Sequence, residues 1–352
     1  MPNMAESYSI NLLSEENVKK FVLPSFGLEN CNITNIKFKD TDKQRAVYKI
    51  ESSSACFCLK KVYFEKEDLL FIYSAMEWFF RNNISLPKML PTLNGDRFVN
   101  YEGMLFILTP WVSGIKCDYD NINHLLDSTS NLAKMHLVSS KFKPIPGSRL
   151  RTSFDDIYIS SKKHFEQLLI CSNMAFKYKD NFSKLFLDNF QDNLILSQIS
   201  LEIAASINIK NLNSSLCHMD YVNKNLIIDN NNKIWVIDFD KCSSDYSVHD
   251  VSYFLRRLMK RENTLWDLAL AKKCLDVYDA VRPQNIDEYK YIMVYLTFPQ
   301  KYWKISRDYY NNIKKCNKTA FYTLLSKSSQ KNKEQLNFAK ELKQYIEEKF
   351  NQ

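Results

Sequence analysis

The chain has 352 residues, 45% hydrophobic and 25% charged, which is enough for two domains or one bilobal domain with a sizeable core. Five glycines argue against a dinucleotide-binding fold or a G-x-x-x-x-G-K phosphate loop. The net charge of +8 is concentrated from Lys301 to Gln352, where 12 Lys/Arg stand against 5 Asp/Glu. There basic and aromatic residues interleave with helical apolar positions, the pattern of a solvated helix face rather than a nucleic-acid surface.

Nine cysteines form no C-x-x-C and no zinc spacing, as expected of reduced thiols in a cytosolic compartment. The opening "MPNMAESYSI" lacks a basic region followed by an apolar stretch, so no secretory signal is expected. No apolar run approaches the roughly 20 residues that span a bilayer.

Residues 14–22 read as a first helix with Ser14 as N-cap and Pro24 past its end. Strand-like segments follow at 33–39, 45–51 and 55–64, and period-two alternation puts Cys56, Cys58 and Lys60 on one face of the third. Residues 66–81 switch to helical spacing, with Leu69, Ile72/Tyr73, Met76 and Phe79/Phe80 as the apolar stripe and Glu77 on its flank. Asn94-Gly95, between "KMLPTL" and "RFVNYE", is a hairpin signal. The buried strand 104–112 then runs into a Pro-containing connection. Beyond Trp111 the pattern is helical: 123–140, stretches within 154–209 that break near 177–183, and from about Asp250 to the end. One hairpin, "LIIDNNNKIWVID", interrupts it. Strands followed by helices point to an α+β chain of two lobes.

The hairpin is flanked by chemistry. In "CHMDYVNKN", Asp220 follows His218 by two positions and Asn225 follows Asp220 by five; Asp238 opens "DFD" after the hairpin. Phosphoryl transfer needs a cation on the phosphates, a carboxylate that positions it, metal ligands, and a carboxylate near the attacking hydroxyl. Lys60, at the end of a strand, supplies the cation, and Glu77 on the next helix is its candidate partner, with Glu65 and Glu67 as nearer alternatives. Asn225 and Asp238 offer the hard oxygen ligands that magnesium prefers. Asp220 is the candidate base, and His218 holds the loop. His249-Asp250 lacks the further ligands of a metal phosphohydrolase; Asp250 is expected to cap the following helix and to hydrogen-bond the catalytic-loop backbone.

These residues, in this order, resemble the aminoglycoside phosphotransferase and choline kinase superfamily, whose fold is protein-kinase-like. The resemblance is closer to its CotS-type spore-coat branch. It is carried by "AVYKIES", "CLKKV", "CHMDYVNKNLIIDNNNKIWVIDFDKC", "HDVSYFLRRLMKR" and "LTFPQKYWKISRDYY". It implies an N-lobe over 1–108 (an antiparallel sheet plus helix that binds nucleotide) and a hinge at 109–112, whose residues Thr109, Pro110, Trp111 and Val112 meet adenine. A mainly helical C-lobe over 113–352 carries the catalytic hairpin and acceptor site. It further implies ATP and Mg2+ as cofactors and synthesis in the mother-cell cytoplasm with deposition on the spore coat. The partners are an unidentified hydroxyl-bearing acceptor and other spore-coat proteins, without nucleic acid or membrane.

Two departures matter. "FKDTDKQR", before "AVYKI", has no glycine where relatives carry a Gly-containing turn over the phosphates, and Met219 replaces the usual Gly between His and Asp. The expected activity is transfer of the ATP γ-phosphate to a hydroxyl of a small molecule, sugar or coat component. The alternative is a weak or inactive kinase-fold scaffold of the coat. Asp118, Asp120, Arg149, Arg151, Tyr302 and Trp303 are candidates for the acceptor pocket.

Overall fold

The structure is a computed structural model that describes residues 12–39 and 45–351. The chain divides into two compact units. The first comprises Met1–Cys117, Lys141–Arg151 and Asn223–Cys242; the second comprises Asp118–Ser140, Thr152–Val222 and Ser243–Gln352.

The first unit opens with helix α1 (Glu15–Phe21), where the Ser14 side chain accepts the Asn17 N–H at 3.2 Å. Strands β1 (Asn32–Lys39), β2 (Arg45–Glu51) and β3 (Cys56–Lys61), helix α2 (Lys66–Arg81), and strands β4 (Val99–Tyr101) and β5 (Met104–Pro110) follow. The strands form an antiparallel sheet in the order β1-β2-β3-β5-β4. Its core joins Val18 of α1 and Val22 at its C-cap to Tyr48, Ile50, Leu59, Phe106 and Leu108. Because Leu59 enters that core, strand alternation sends Lys60 to the opposite face.

Helix α2 has the bounds the spacing predicts and buries Leu69, Ile72, Met76 and Phe79 of the expected stripe; Phe71 and Ala75 widen it, and Phe80 is exposed. The hairpin expected at Asn94-Gly95 is not formed. Those residues make a turn, with the Gly95 N–H on Thr92 O, and "KMLPTL" is not a strand; Pro91 offers no N–H to a ladder. The hairpin lies one segment later, at Glu102-Gly103, where both residues have positive φ (51° and 74°), as a two-residue turn matching strand twist requires.

A second sheet in this unit pairs β6 (Ile115–Lys116) with β7 (Leu226–Ile228), and β7 with β8 (Ile234–Val236). Gly114 makes this pairing possible. A Cβ there would lie 2.3 Å from Ile228 O and 2.8 Å from Ile227 Cγ2, and its φ is +153°. The hairpin is tied to the rest of the unit by the Val236 N–H on Ser85 O and by Phe79 against Phe239.

The second unit is helical, from α3 (Ile122–Val138) through α4 (Ile157–Tyr178), α5 (Asn181–Asp188), α6 (Phe190–Ala205), α7 (Ser247–Met259), α8 (Leu268–Val281), α9 (Ile286–Thr297), α10 (Gln300–Asn311) and α11 (Lys318–Ser329) to α12 (Asn332–Phe350). The expected break falls at Lys179, which is left-handed, and Asp180, which caps α5. Strand Ser214–Cys217 pairs antiparallel with Ser243–Tyr246. This pair places the chain after Cys217 beside the start of α7. An aromatic cluster of Phe182, Phe186, Tyr302, Trp303, Tyr309 and Tyr310 packs α5 against α10.

Candidate active site

The candidate side chains fall into two groups, one in each unit. In the first unit, Lys60 Nζ donates to Asp238 Oδ1 at 2.8 Å and to Asp240 Oδ1 at 2.6 Å. Burial alone lowers the Lys60 amine, but the two carboxylates outweigh it and hold the pKa above its ordinary value. Asp238 has φ 67° and ψ 61°, a left-handed conformation that Asp tolerates better than most residues. Asn225 is buried, and its carbonyl accepts the Ile237 N–H at 2.9 Å. That bond crosses the hairpin and sets Asn225 beside the residue preceding Asp238.

Asp240 is the residue that sequence reasoning missed. It is 5% exposed. Its carbonyl accepts Arg151 Nη2 at 2.8 Å, and its Oδ2 has no hydrogen-bond partner among the described residues. The second acid of "IDFD" was the available signal, but strand alternation does not extend into the short 3-10 turn Phe239–Lys241, so its direction was not readable. Asp240, Asp238 and Asn225 together offer hard oxygen donors of the kind magnesium takes. The unpartnered buried Oδ2 is the observation that best fits a cation there.

Glu77 is not paired with Lys60. Its ion pair is with Arg81, at 3.7 Å one turn along α2. Of the hinge residues, Thr109 pairs with Cys58 and Pro110 with Phe57 across the sheet. The Trp111 N–H bonds Cys56 O at 2.9 Å, and Lys49 lies 5.7 Å from the Trp111 ring centroid. Val112 follows, half-buried. The glycine-free segment falls largely on residues 40–44, outside the described residues. Arg149 and Arg151 belong to this unit, where Arg149 pairs with Asp68 at 2.9 Å.

In the second unit, Asp220 and His218 lie just past strand Ser214–Cys217, both buried. His218 Nδ1 accepts the Asp220 N–H at 3.2 Å, and the Tyr253 hydroxyl donates to Asp220 Oδ1 at 3.4 Å. Met219, between them, has φ 62°, a left-handed conformation that costs a non-glycine residue about 1–2 kcal/mol.

Asp250 holds this turn. Its Oδ2 accepts the His218 N–H at 2.6 Å and its Oδ1 the Met219 N–H at 2.8 Å. Asp250 does not cap α7: it lies within the helix, and Tyr246 occupies the N-cap position. His136 Nε2 is 3.4 Å from Asp250 Oδ2, and His136 Nδ1 is 2.7 Å from the Tyr278 hydroxyl. A carboxylate only accepts, so Nε2 carries the proton and Nδ1 accepts from Tyr278. Burial pushes the His136 pKa down, and Asp250 only partly offsets it. For Asp250, burial acts to raise the pKa, but the hydrogen bond and charge of His136, with His218, leave it below its ordinary value.

The remaining sequence candidates serve structure. Asp118 accepts the Asp120 N–H, and Asp120 pairs with Arg261 at 2.6 Å. Tyr302 and Trp303 are buried in the aromatic cluster. His249 bonds Asp245 at 2.6 Å.

A fold that joins a five-stranded antiparallel sheet and helix to a mostly helical remainder, with Lys60 on two acids and a His-x-Asp turn held by a buried carboxylate, defines a phosphotransferase class. A family profile described as "Phosphotransferase enzyme family" matches residues 40–283, and the chain belongs to that family. It is 20% identical over 291 residues to Spore coat protein S of Bacillus subtilis (strain 168), a match that covers 81% of this chain and 82% of that protein. Among solved structures, an aminoglycoside phosphotransferase from Alicyclobacillus acidocaldarius superposes with a TM-score of 0.77 at 18% identity, covering 94% of this chain and 96% of that one. A spectinomycin phosphotransferase, solved with ADP and spectinomycin, superposes with a TM-score of 0.67 at 16% identity, covering 94% and 99%. The fold is therefore the kinase-like α+β fold. Among the described residues no helix is long and apolar enough to cross a membrane.

Proposed function

We propose that the chain transfers the γ-phosphate of ATP to a hydroxyl of a small molecule, a sugar or a coat component, and does so in association with the spore coat. The observation that carries this reading is the Lys60–Asp238–Asp240 group beside Asn225. It combines a phosphate-binding cation with hard oxygen donors, and folding stability alone does not call for it. In the proposal, Lys60 neutralises phosphate charge and Thr109–Val112 supply backbone to the adenine, roles that rest on family resemblance. Asp238 and Asn225, with Asp240, would hold Mg2+. Bound there, Mg2+ would neutralise charge on the β- and γ-phosphates.

Asp220 accepts the proton of the acceptor hydroxyl and orients it for in-line attack. The Tyr253 hydroxyl donates to one Asp220 oxygen and helps to fix the carboxylate. Asp250 keeps the turn in shape through its two backbone bonds. The proposed N-lobe of 1–108, hinge of 109–112 and C-lobe of 113–352 follow from the same resemblance. So do synthesis in the mother cell and the absence of nucleic-acid and membrane partners.

The test is transfer from labelled Mg-ATP to components of an extract of sporulating cells, by the full chain and by Asp220→Ala. Product formed by the parent chain and lost in the variant is expected; identical output from both would sink the proposal. A second reading, a coat scaffold with the kinase fold and little turnover, draws on the glycine-free segment before β2 and on similarity to a spore coat protein. Calorimetry with Mg-ATP separates the two, because a scaffold of that kind binds no nucleotide at millimolar concentration.

A further inference from the structure

Helix α7, which holds the Asp220 turn through Asp250, also carries a row of cations. Tyr253, Arg256, Arg257 and Lys260 follow the i, i+3, i+4, i+7 spacing of a single helix face. Tyr253 contacts Asp220. The Arg257 guanidinium lies 5.5 Å from the Tyr253 ring centroid. Arg256 lies 3.9 Å from the Tyr295 ring centroid and donates to its hydroxyl at 3.0 Å. Lys260 ends the row as the C-cap of α7, about 10 Å along the axis from Tyr253 at the helical rise. Lys301 of α10 adds its charge to the field at Lys260.

Among the described residues, none of Arg256, Arg257, Lys260 and Lys301 makes an ion pair with a carboxylate, whereas the next residue, Arg261, is neutralised by Asp120 at 2.6 Å. Three of the four are half-buried. Like charges three and four positions apart repel. The negative end of the helix dipole offsets part of this cost in the last turn. It does not explain why the two arginines rest on tyrosine rings that fix their planar forks, with no carboxylate paired to either among the described residues. Guanidinium groups held in this way recognise carboxylate and phosphate. Burial, with the nearby charges of Arg257, Lys301 and Arg256, lowers the Lys260 amine to about 8.

We infer that the acceptor is an anionic hydroxylated small molecule whose phosphate or carboxylate group binds Arg256, Arg257 and Lys260 while its hydroxyl meets Asp220. This rests on the phosphotransferase reading for the role of Asp220; the anion site itself does not. An acceptor bearing protonated amines would meet only like charge along this face.

Two measurements test it. In the first, a metabolite extract is divided on an anion-exchange resin, and each fraction is incubated with the full chain and labelled Mg-ATP. Transfer is expected in the retained fraction. Transfer confined to the unretained fraction overturns the inference and leaves the phosphotransferase reading intact. Transfer in neither, with nucleotide bound, refutes the phosphotransferase reading, and the second measurement then decides the anion site.

That measurement is calorimetry with glucose 6-phosphate, glucuronate, glucose and glucosamine, which form a charge series on one scaffold. At least one anion is expected to bind about tenfold more tightly than glucose, the change that one charge-assisted hydrogen bond supplies, with glucosamine the weakest. A preference for glucose 6-phosphate over glucuronate assigns the phosphate, and the reverse assigns the carboxylate. Arg257→Gln and Lys260→Met should each remove most of the preference without changing ATP affinity. Equal binding of all four, tighter binding of glucosamine, no binding of either anion, or a preference that survives both substitutions overturns the inference.

Discussion

Lys60 reaches Asp240 at 2.6 Å and Asp238 at 2.8 Å, so one ammonium holds two carboxylates separated by a single residue. Removing the cation leaves two acids facing each other, one of them buried. Lys60→Met should therefore cost about 2–4 kcal/mol, below the full value for a broken buried pair because Asp238 is a third exposed. Urea denaturation measures this. Asp240→Asn added to Lys60→Met should recover at least half of the loss. A Lys60→Met chain as stable as the parent would show that the group adds nothing net to folding.

The turn at Met219 makes a different prediction. Met219→Gly relieves left-handed strain but gives the unfolded chain more freedom, so stability should stay within about 1 kcal/mol of the parent. Met219→Val, branched at Cβ, should lose about 2 kcal/mol or more. Asp250→Asn leaves one of the two loop N–H groups without its charged acceptor and should cost about 2–4 kcal/mol. Thermal denaturation of the three variants should rank them in that order.

His164 packs against Trp303 with ring centroids 3.9 Å apart and ring planes tilted by 40°. Burial, with Arg307 and Lys163 nearby, lowers its pKa to about 4. In the unfolded chain the imidazole takes a proton near its ordinary 6.5, so as pH falls from about 6.5 to about 4 the unfolded state is favoured. Above 6.5 the residue has no effect of this kind. An NMR titration should place its midpoint near 4, and His164→Phe should flatten the loss of stability across that window. A midpoint at 6 or above would contradict the packing.

Gly114 has no room for a side chain against Ile228 O. Gly114→Ala should part β6 from β7 and cost about 2 kcal/mol or more. Gly95→Ala is the comparison, since its φ is also positive but its Cβ would meet nothing within 4 Å. A cost equal to that of Gly95→Ala would mean that the strand pair yields without loss.

Much of the fold could be read from periodicity. The bounds of α2, the hairpin of β7 and β8, and the break at Lys179 follow from hydrophobic spacing and polar punctuation. The misplaced hairpin shows the limit: Asn-Gly is the stronger local signal, yet Glu102-Gly103 forms the turn because β5 is the strand that β4 can pair with. At the candidate site, motif spacing singled out Lys60, Asp220, Asn225 and Asp238 as candidates. It could not pair Lys60 with Asp240, 180 positions away, nor direct Glu77 toward Arg81. Asp250 was legible as a support of the loop, but not as a residue inside its helix. The cation row on α7 was visible as "RRLMK" and meant nothing until Tyr253 was placed on Asp220.

Backbone geometry also leaves the chain an engineering reserve. Leu265 and Trp266, next to each other in the connection between α7 and α8, both have positive φ, 47° and 60°, a conformation that glycine adopts without steric penalty. Leu265 is exposed and contributes little packing, whereas Trp266 rests on Phe338 and must stay. Leu265→Gly is thus a candidate for raising thermal tolerance, by the margin, at most about 1 kcal/mol, by which strain relief exceeds the added freedom of the unfolded chain. A chain so poor in glycine keeps stability in hand at the positions where its composition, rather than its fold, chose the side chain.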